Sequence, residues 1–330
     1  MIQKNLEITT RIGCVNMCEY CPQTKLISNY TKNQHNSRLL NEFESNNDTD
    51  ALEKILLSEY LKGDNNREIV MTMETFELCL STIPSSVDIH FTGYQEAFEN
   101  PNALDMMKHA YNKGHRILLN TTLVGMKKEH VAELEKFKFK EINIHMPSAL
   151  YKENIGKNSK ADYIRTGKEI SDEYLDLMEL MISSDLMTRV DRESDRSLRF
   201  HSHGPVHSEL RERFGNRIGD RQRGLNSRAG NLGKMQNEVM WKDNWCMRIY
   251  HNVLLPDGTV QLWCQDYGLS EPLGNLKHMS YDDLFNTKLF KDKIAKGGAK
   301  ICQSCDDGVA VPGEWKEKLR SMQNYPNVWR

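Results

Sequence analysis

Long apolar runs are missing from this sequence. Nowhere do about 18 consecutive residues carry the hydrophobicity that a bilayer-crossing helix needs, and the opening MIQKNLEITTRIG has no apolar core behind a basic flank of the kind an export signal has. The expectation is a cytoplasmic protein with no membrane partner. An excess of either charge is missing too. The 44 basic and 46 acidic residues leave a formal net charge of -2, which excludes the electrostatic footprint of a general nucleic-acid binder. Internal repeats and low-complexity tracts are also lacking. What remains is 38% hydrophobic and 27% charged, an ordinary globular makeup, and 330 residues suffice for one α/β barrel with an appendage or for two domains.

Cysteine, by contrast, is present in force. Seven of the eight cysteines fall in two groups near opposite ends of the chain. In a chain of this length without an export signal, such groups serve metal or redox chemistry rather than disulfides. Between them helix and strand patterns alternate. QKNLEITT (3–10) reads as a strand that runs straight into the first cysteine loop, and VDIHFTG, RILLNTT, EINIHMP and LRFHSHG read as further strands. METFELCLSTI, NALDMMKHAYNKG, KKEHVAELEKF and SDEYLDLMELMISSD carry helical periodicity. Repeated βα units predict a parallel sheet with right-handed crossovers, open or curled into a full or partial barrel, whose chemistry gathers at the C-terminal strand ends. Residues 28–70 are polar and broken, and read as an insertion or lid. From about residue 189 the chain turns Arg-rich and the alternation fades, which marks a boundary. Beyond it, NVLLPDGTVQLWC is two β-rich runs around Pro-Asp-Gly-Thr, a hairpin signal.

Cys14, Cys18 and Cys21 place three thiolates within eight residues of one loop, close enough to hold three corners of a cubane and leave the fourth iron open. A structural zinc site fits poorly, because zinc asks for four ligands and no further Cys or His follows within ten residues. The loop CVNMCEYC, with an aromatic before its last cysteine, resembles the CxxxCxxC loop of radical S-adenosylmethionine (SAM) enzymes. That resemblance implies a 4Fe–4S cluster whose open iron chelates SAM, and an electron from the cluster that cleaves SAM to a 5′-deoxyadenosyl radical. It further implies that Tyr20 packs beside the cluster. Gly93, Tyr94, Gln95 and Glu96, which end the next strand, resemble the family's Gly-Gly-Glu-Pro motif, with Tyr94 and Gln95 inside it and Ala97 in place of proline. In that reading Glu96 accepts a hydrogen bond from the SAM ammonium. Asn120, Thr121 and Thr122 resemble a TNG-like segment that meets the ribose or the substrate; the plainer reading is a capped turn.

The second group is Cys246, Cys264, Cys302 and Cys305, four soft ligands that by themselves suit structural zinc or an iron–sulfur cluster equally. The stretch 226–305, with SRAGNL, the cysteine-flanked hairpin, LGNL and the final CQSC, resembles the twitch domain, the shorter relative of the SPASM domain. The order of its four cysteines is similar to that of the family's twitch-type aminocyclitol dehydrogenases. The resemblance implies a second, auxiliary 4Fe–4S cluster on these cysteines. It also implies a partial (β/α)6 TIM-like barrel over 1–225, a small α+β twitch domain of β-hairpin plus helix over 226–310, and a tail over 311–330. Cys79 shares a helical stripe with Phe76, Leu80 and Ile83 and reads as core.

A fully ligated auxiliary cluster has no position for substrate, so the resemblance points to hydrogen abstraction from a small molecule, then proton loss and electron transfer to that cluster, a net oxidation. The other radical outcomes are peptide crosslinking or epimerisation, rearrangement and sulfur insertion. A non-catalytic iron–sulfur carrier is a reading of another class, against which the open iron argues. A flavodoxin- or ferredoxin-like reductant is the implied partner. His201 and His203 share one face of a strand at the barrel's active end and are candidate proton acceptors, or else buried, hydrogen-bonded histidines. Arg211, Arg213, Arg217, Arg221 and Arg223 form a basic stretch that suits an anionic substrate group, or else a solvated helix face paired with Glu209, Glu212 and Asp220. Anaerobically purified protein is expected to carry two cubanes. Cys14→Ala, Cys18→Ala or Cys21→Ala should each remove one and spare the other, which iron and acid-labile sulfide analysis reads directly.

Overall fold

The structure, a computed structural model, describes residues 3–14, 16, 18, 20–23, 25–27, 29–30, 70–149, 170–187, 198–219, 221–223, 227–232, 247–287, 290–291, 301–302 and 305. The 28–70 insertion, apart from residues 29, 30 and 70, lies outside them, as do Cys246, most of the segment after Phe290 and the tail.

Strands β1 (Asn5–Ile8), β2 (Asp88–Phe91), β3 (Ile117–Thr121), β4 (Phe139–His145), β5 (Arg199–His203) and β6 (Gln222–Arg223) pair in chain order, each parallel to the next. Helices α1 (Met73–Leu80), α2 (Ala103–Asn112), α3 (Lys128–Leu134), α4 (Asp172–Ser183) and α5 (Ser208–Phe214) form the connections. This is the alternation the sequence pattern predicts, and β6 does not return to close on β1, so the barrel is partial. Two of the helices start on hydroxyl caps: Thr72 Oγ1 accepts from Thr75 N at 3.1 Å and Ser171 Oγ from Tyr174 N at 3.3 Å.

The alternation along each strand sorts the two faces of the sheet. Leu6, Ile8, Ile89, Phe91, Ile117, Leu119, Ile142, Ile144 and Phe200 join one apolar core with Phe76, Met106, Met107 and Met178 of the covering helices. Each such side chain contributes about 1.5–3 kcal/mol by leaving water. Cys79 lies in this core, and burial pushes its thiol up to about 11. The intervening positions, Asn5 and Glu7, Asp88 and His90, Glu141, Asn143 and His145, Arg199, His201 and His203, leave the inner face almost entirely polar.

The C-terminal segment does not form a sheet of its own. Strand β7 (His251–Leu254) pairs parallel with β1, and β8 (Thr259–Gln261) and β9 (Pro272–Asn275) follow antiparallel, so all nine described strands make one sheet. The β7–β8 connection holds the expected Pro-Asp-Gly-Thr turn, with Gly258 at φ 88° and Asp257 Oδ1 accepting from Thr259 N at 3.0 Å. Helix α6 (Tyr281–Leu284) is tied back by an ion pair of Lys4 and Asp282 at 3.0 Å. Among the described residues no helix is long and apolar enough to cross a membrane.

The inner face is held at its base by ionic contacts. Asp88 receives Arg116 Nε at 2.8 Å and Nη2 at 3.0 Å, and Lys140 Nζ at 2.6 Å, with its own side chain 1% exposed. Replacing Asp88 by Ala strands two cations beside a buried wall. The expected loss is about 2–3 kcal/mol of unfolding free energy, less than for a fully enclosed pair because both cations reach solvent, and urea denaturation measures it.

Candidate functional site

Strand β1 ends at Ile8 and the chain turns directly into the first cysteine loop. Cys14, Cys18 and Cys21 are all half-buried there, and no disulfide joins them. Cys21 N donates to Cys18 O at 2.9 Å, which closes a turn. Gln23 braces the loop internally: its Oε1 accepts from Cys14 N at 3.4 Å and its Nε2 donates to Cys21 Sγ at 3.4 Å and to Tyr94 O. Burial pushes the Cys14 thiol well up, and the charges of Glu99, Cys18 and Cys21 push it further. Thiolates that repel one another from half-buried positions are a donor set that a positively charged iron core relieves, and their softness suits iron–sulfur chemistry. Among the described residues no three His, Cys, Asp or Glu side chains gather as a single metal ion requires.

Two further loops meet this one. At the end of β2, Gly93 adopts φ 84°, and a Cβ there would strike Thr9 Oγ1 and come within 3.3 Å of Ile8 O, so only glycine lets the loop lie against β1. Glu96, 3% exposed, accepts from Thr121 Oγ1 at 2.7 Å, Thr122 N at 2.6 Å and Thr122 Oγ1 at 2.8 Å. Burial pushes its carboxyl up, and these hydrogen bonds pull it back. Asn16, inside the cysteine loop, donates from Nδ2 to Thr122 Oγ1 at 2.9 Å. Asn120 Oδ1 accepts from Asn143 Nδ2 at 2.7 Å, and Gln95 Nε2 donates to Thr10 Oγ1 at 2.7 Å. Tyr94 is turned the other way, its hydroxyl donating to Trp263 O at 3.0 Å and Asp266 O at 3.2 Å behind β8.

Across the inner face stands a cluster of aromatic rings. His201 on β5 stacks on His145 of β4 at 5.0 Å between centroids, His203 meets His145 edge-on at 4.8 Å, and Tyr20 meets His203 edge-on at 4.6 Å. The Tyr20 hydroxyl lies 3.2 Å from His145 Nε2. His203 Nδ1 lies 3.2 Å from Arg223 O, an acceptor that fixes the proton on Nδ1 and leaves Nε2 with its lone pair. Burial pushes His201 down to about 3 and His203 down to about 4, with neighbouring arginines adding to the effect on His201, and it holds His145 well below the ordinary range. His145 escapes the sequence reading. Its one signal is that EINIH ends a strand at the place where LRFHSH ends the next, and His145 and His201 are register partners.

The basic stretch divides. Arg217 pairs with Glu179 at 2.6 Å, Arg213 lies 3.7 Å from Asp176, and Arg211 donates to Gly219 O at 3.2 Å, so these three serve a solvated face. Arg223 is half-buried on β6, where Arg221 and Arg199 oppose its charge and Glu141 favours it. Of the second cysteine group, Cys264 follows β8, Cys305 is buried and Cys302 is half-buried, all three against the main core, with Cys305 N donating to Cys302 O at 3.4 Å.

No protein-family model matches the sequence, and no curated protein does. Among solved structures, the chain is similar to BtrN in complex with AdoMet and 2-DOIA, at 13% identity and a TM-score of 0.52 over 93% of this chain and 94% of that one. It is similar also to Streptococcus suis SuiB bound to the precursor peptide SuiA, at 11% identity and a TM-score of 0.54 over 93% of this chain and 72% of that one. These likenesses show a common fold.

The histidines make stability depend on pH. Their imidazoles take up protons far less readily in the folded chain than in the unfolded one, where the ordinary value is about 6.5. Their contribution is therefore complete above about pH 6.5 and is lost as the pH falls toward 4, by up to about 1.4 kcal/mol per pH unit for each histidine. Denaturant titrations at stepped pH should show this decline, and His201→Gln should make it shallower.

Proposed function

We propose that the chain is a radical SAM enzyme. The carrying observation is the junction of three loops, in which Cys14, Cys18 and Cys21, the Gly93–Glu96 turn and Thr121–Thr122 meet through Glu96 and Asn16. A 4Fe–4S cluster with an open iron, once bound with SAM, supplies reductive cleavage of the sulfonium and a 5′-deoxyadenosyl radical that takes hydrogen from a substrate carbon.

The chain's own groups have separable tasks. Cys14, Cys18 and Cys21 hold the cluster, and Gln23 and Asn16 fix the loop that carries them. Glu96 sets a carboxylate at the junction of the loops, held by Thr121, Thr122 and the Phe98 N–H, and is the charge that would attract an ammonium group. The Gly93 loop lies close enough to β1 that no side chain intrudes. Tyr20, itself part of the cysteine loop, lays its ring against His145 and His203 of the inner wall.

The reaction we favour is oxidation of a small substrate bearing an anionic group, with Cys246, Cys264, Cys302 and Cys305 as ligands of a second cluster that accepts the electron. Two features support it. His203 holds its Nδ1 proton on Arg223 O and so offers the Nε2 lone pair at a strand end to the proton a substrate radical loses, and Arg223 beside it suits a carboxylate or phosphate. Likeness to SuiB solved with a precursor peptide supports a second reading, in which the substrate is a peptide.

Anaerobically reconstituted protein given SAM and dithionite is expected to release 5′-deoxyadenosine, at least 100-fold faster than Cys18→Ala. Zinc in place of iron at the first group, or no 5′-deoxyadenosine, sinks the proposal. Substrate mass lower by two hydrogens marks oxidation, and a modified peptide marks the second reading.

A further inference from the structure

Tyr267 belongs to one cysteine group by sequence and to the other by contact. It follows Cys264 by three residues, yet its hydroxyl lies 3.6 Å from Cys21 Sγ. The ring is buried against Tyr94, centroid to centroid 4.9 Å.

The turn that aims it is tightly held. Asp266 N donates to Trp263 O at 3.1 Å and Leu269 N to Asp266 O at 3.0 Å, while the Asp266 carboxylate accepts from Ser270 Oγ at 3.1 Å and Glu271 N at 2.8 Å. The Tyr94 hydroxyl pins the same turn through the carbonyls of Trp263 and Asp266. A second tie runs through the Ser227–Leu232 loop, where Asn231 Nδ2 donates to Gln265 O at 3.2 Å and Asn231 Oδ1 accepts from Lys25 Nζ at 2.5 Å, just after the first cysteine loop. Arg228 and Ala229 in that loop take φ of 49° and 53°, a strained conformation for residues with a Cβ, kept in place by Gly230 N on Ser227 Oγ at 3.0 Å and Leu232 N on Ser227 O at 3.0 Å.

Cys21 Sγ is therefore met from both sides. Gln23 Nε2 approaches from its own loop at 3.4 Å and Tyr267 from the hairpin at 3.6 Å. An amide NH₂ only donates, and a metal-bound thiolate has no proton to give, so both hydrogen bonds run toward sulfur. Donation to a ligand sulfur spreads its negative charge and eases addition of an electron to the cluster.

We infer that Tyr267 is a positioning residue joining the two cysteine groups: its phenol donates to Cys21 Sγ and raises the reduction potential of the cluster on Cys14, Cys18 and Cys21, while its backbone belongs to the turn that follows Cys264 and is tied to Gln265 O by its N–H at 3.0 Å. The inference rests on the function proposed above. It makes the first cluster's potential sensitive to the order of the Cys264 turn, because the hydroxyl moves with that turn.

The experiment is an EPR-monitored redox titration of the full chain with both clusters reconstituted anaerobically, comparing wild type, Tyr267→Phe and protein carrying 3,5-difluorotyrosine at position 267. Tyr267→Phe should shift the first cluster's midpoint potential negative with iron and sulfide content unchanged. The fluorinated phenol, a stronger donor, should shift it positive. Should Tyr267→Phe fail to hold its clusters, the fluorinated protein decides alone. A midpoint unmoved by either change overturns the inference and leaves the proposed function standing. A chain that assembles no cluster on Cys14, Cys18 and Cys21 overturns both.

Discussion

The carboxylate of Glu96 is the constraint on which the site depends. Three parallel strands deliver three loops to one end of the sheet, and nothing in a parallel ladder requires those loops to touch. Glu96 makes them touch, accepting two hydroxyls and a backbone N–H from Thr121 and Thr122 while sitting 3% exposed. Asn16 then reaches Thr122 from the cysteine loop. A buried carboxylate is costly unless its lone pairs are filled, so the same residue that pays for its burial with three donors also fixes the separation of the loops. Gly93 completes the junction by allowing the β2 loop to rest on Thr9 and Ile8.

Below that junction the sheet faces two environments at once. Its outer face is an apolar core shared with the helices, and its inner face carries a row of ionic and imidazole groups. Burial lowers His90 to about 3 and His251 to about 4, as it does His201 and His203. A chain selected only for stability would fill such an interior with branched aliphatics. Holding several imidazoles and Arg223 there lowers acid stability and leaves a wall of hydrogen-bonding groups.

Much of the fold was legible because it rests on local period. The four helical patterns and five of the strands follow alternation and β-former content, and Cys79 follows from its stripe with Phe76 and Leu80. The cysteine groups were legible as spacings. What sequence could not carry was contact between distant residues. Tyr20 and His145 are 125 positions apart, and EINIH differs from any other half-buried strand only once its end is known to face Tyr20. Nor does any local signal foretell that β7 pairs with β1. The hairpin reads correctly as a hairpin, but its place in the sheet depends on a parallel edge at β1 left open by a barrel that does not close. Tyr94 shows the opposite limit. As part of a motif it reads as a ligand contact, yet a buried phenol needs an acceptor, and the acceptors lie in the hairpin at Trp263 and Asp266.

That open edge explains why one region serves both cysteine groups. β7 extends the barrel sheet beside β1 rather than packing as a separate body, and the turn after the antiparallel β8 meets the first cysteine loop through Tyr94 and Tyr267. Cys264 and Cys21 both lie near the side chains of Tyr267 and Arg228, and Tyr94 packs its ring on Tyr267. A hairpin on a flexible linker would let the two groups drift apart, whereas a hairpin hydrogen-bonded into the sheet sets their spacing with the precision of a β-ladder.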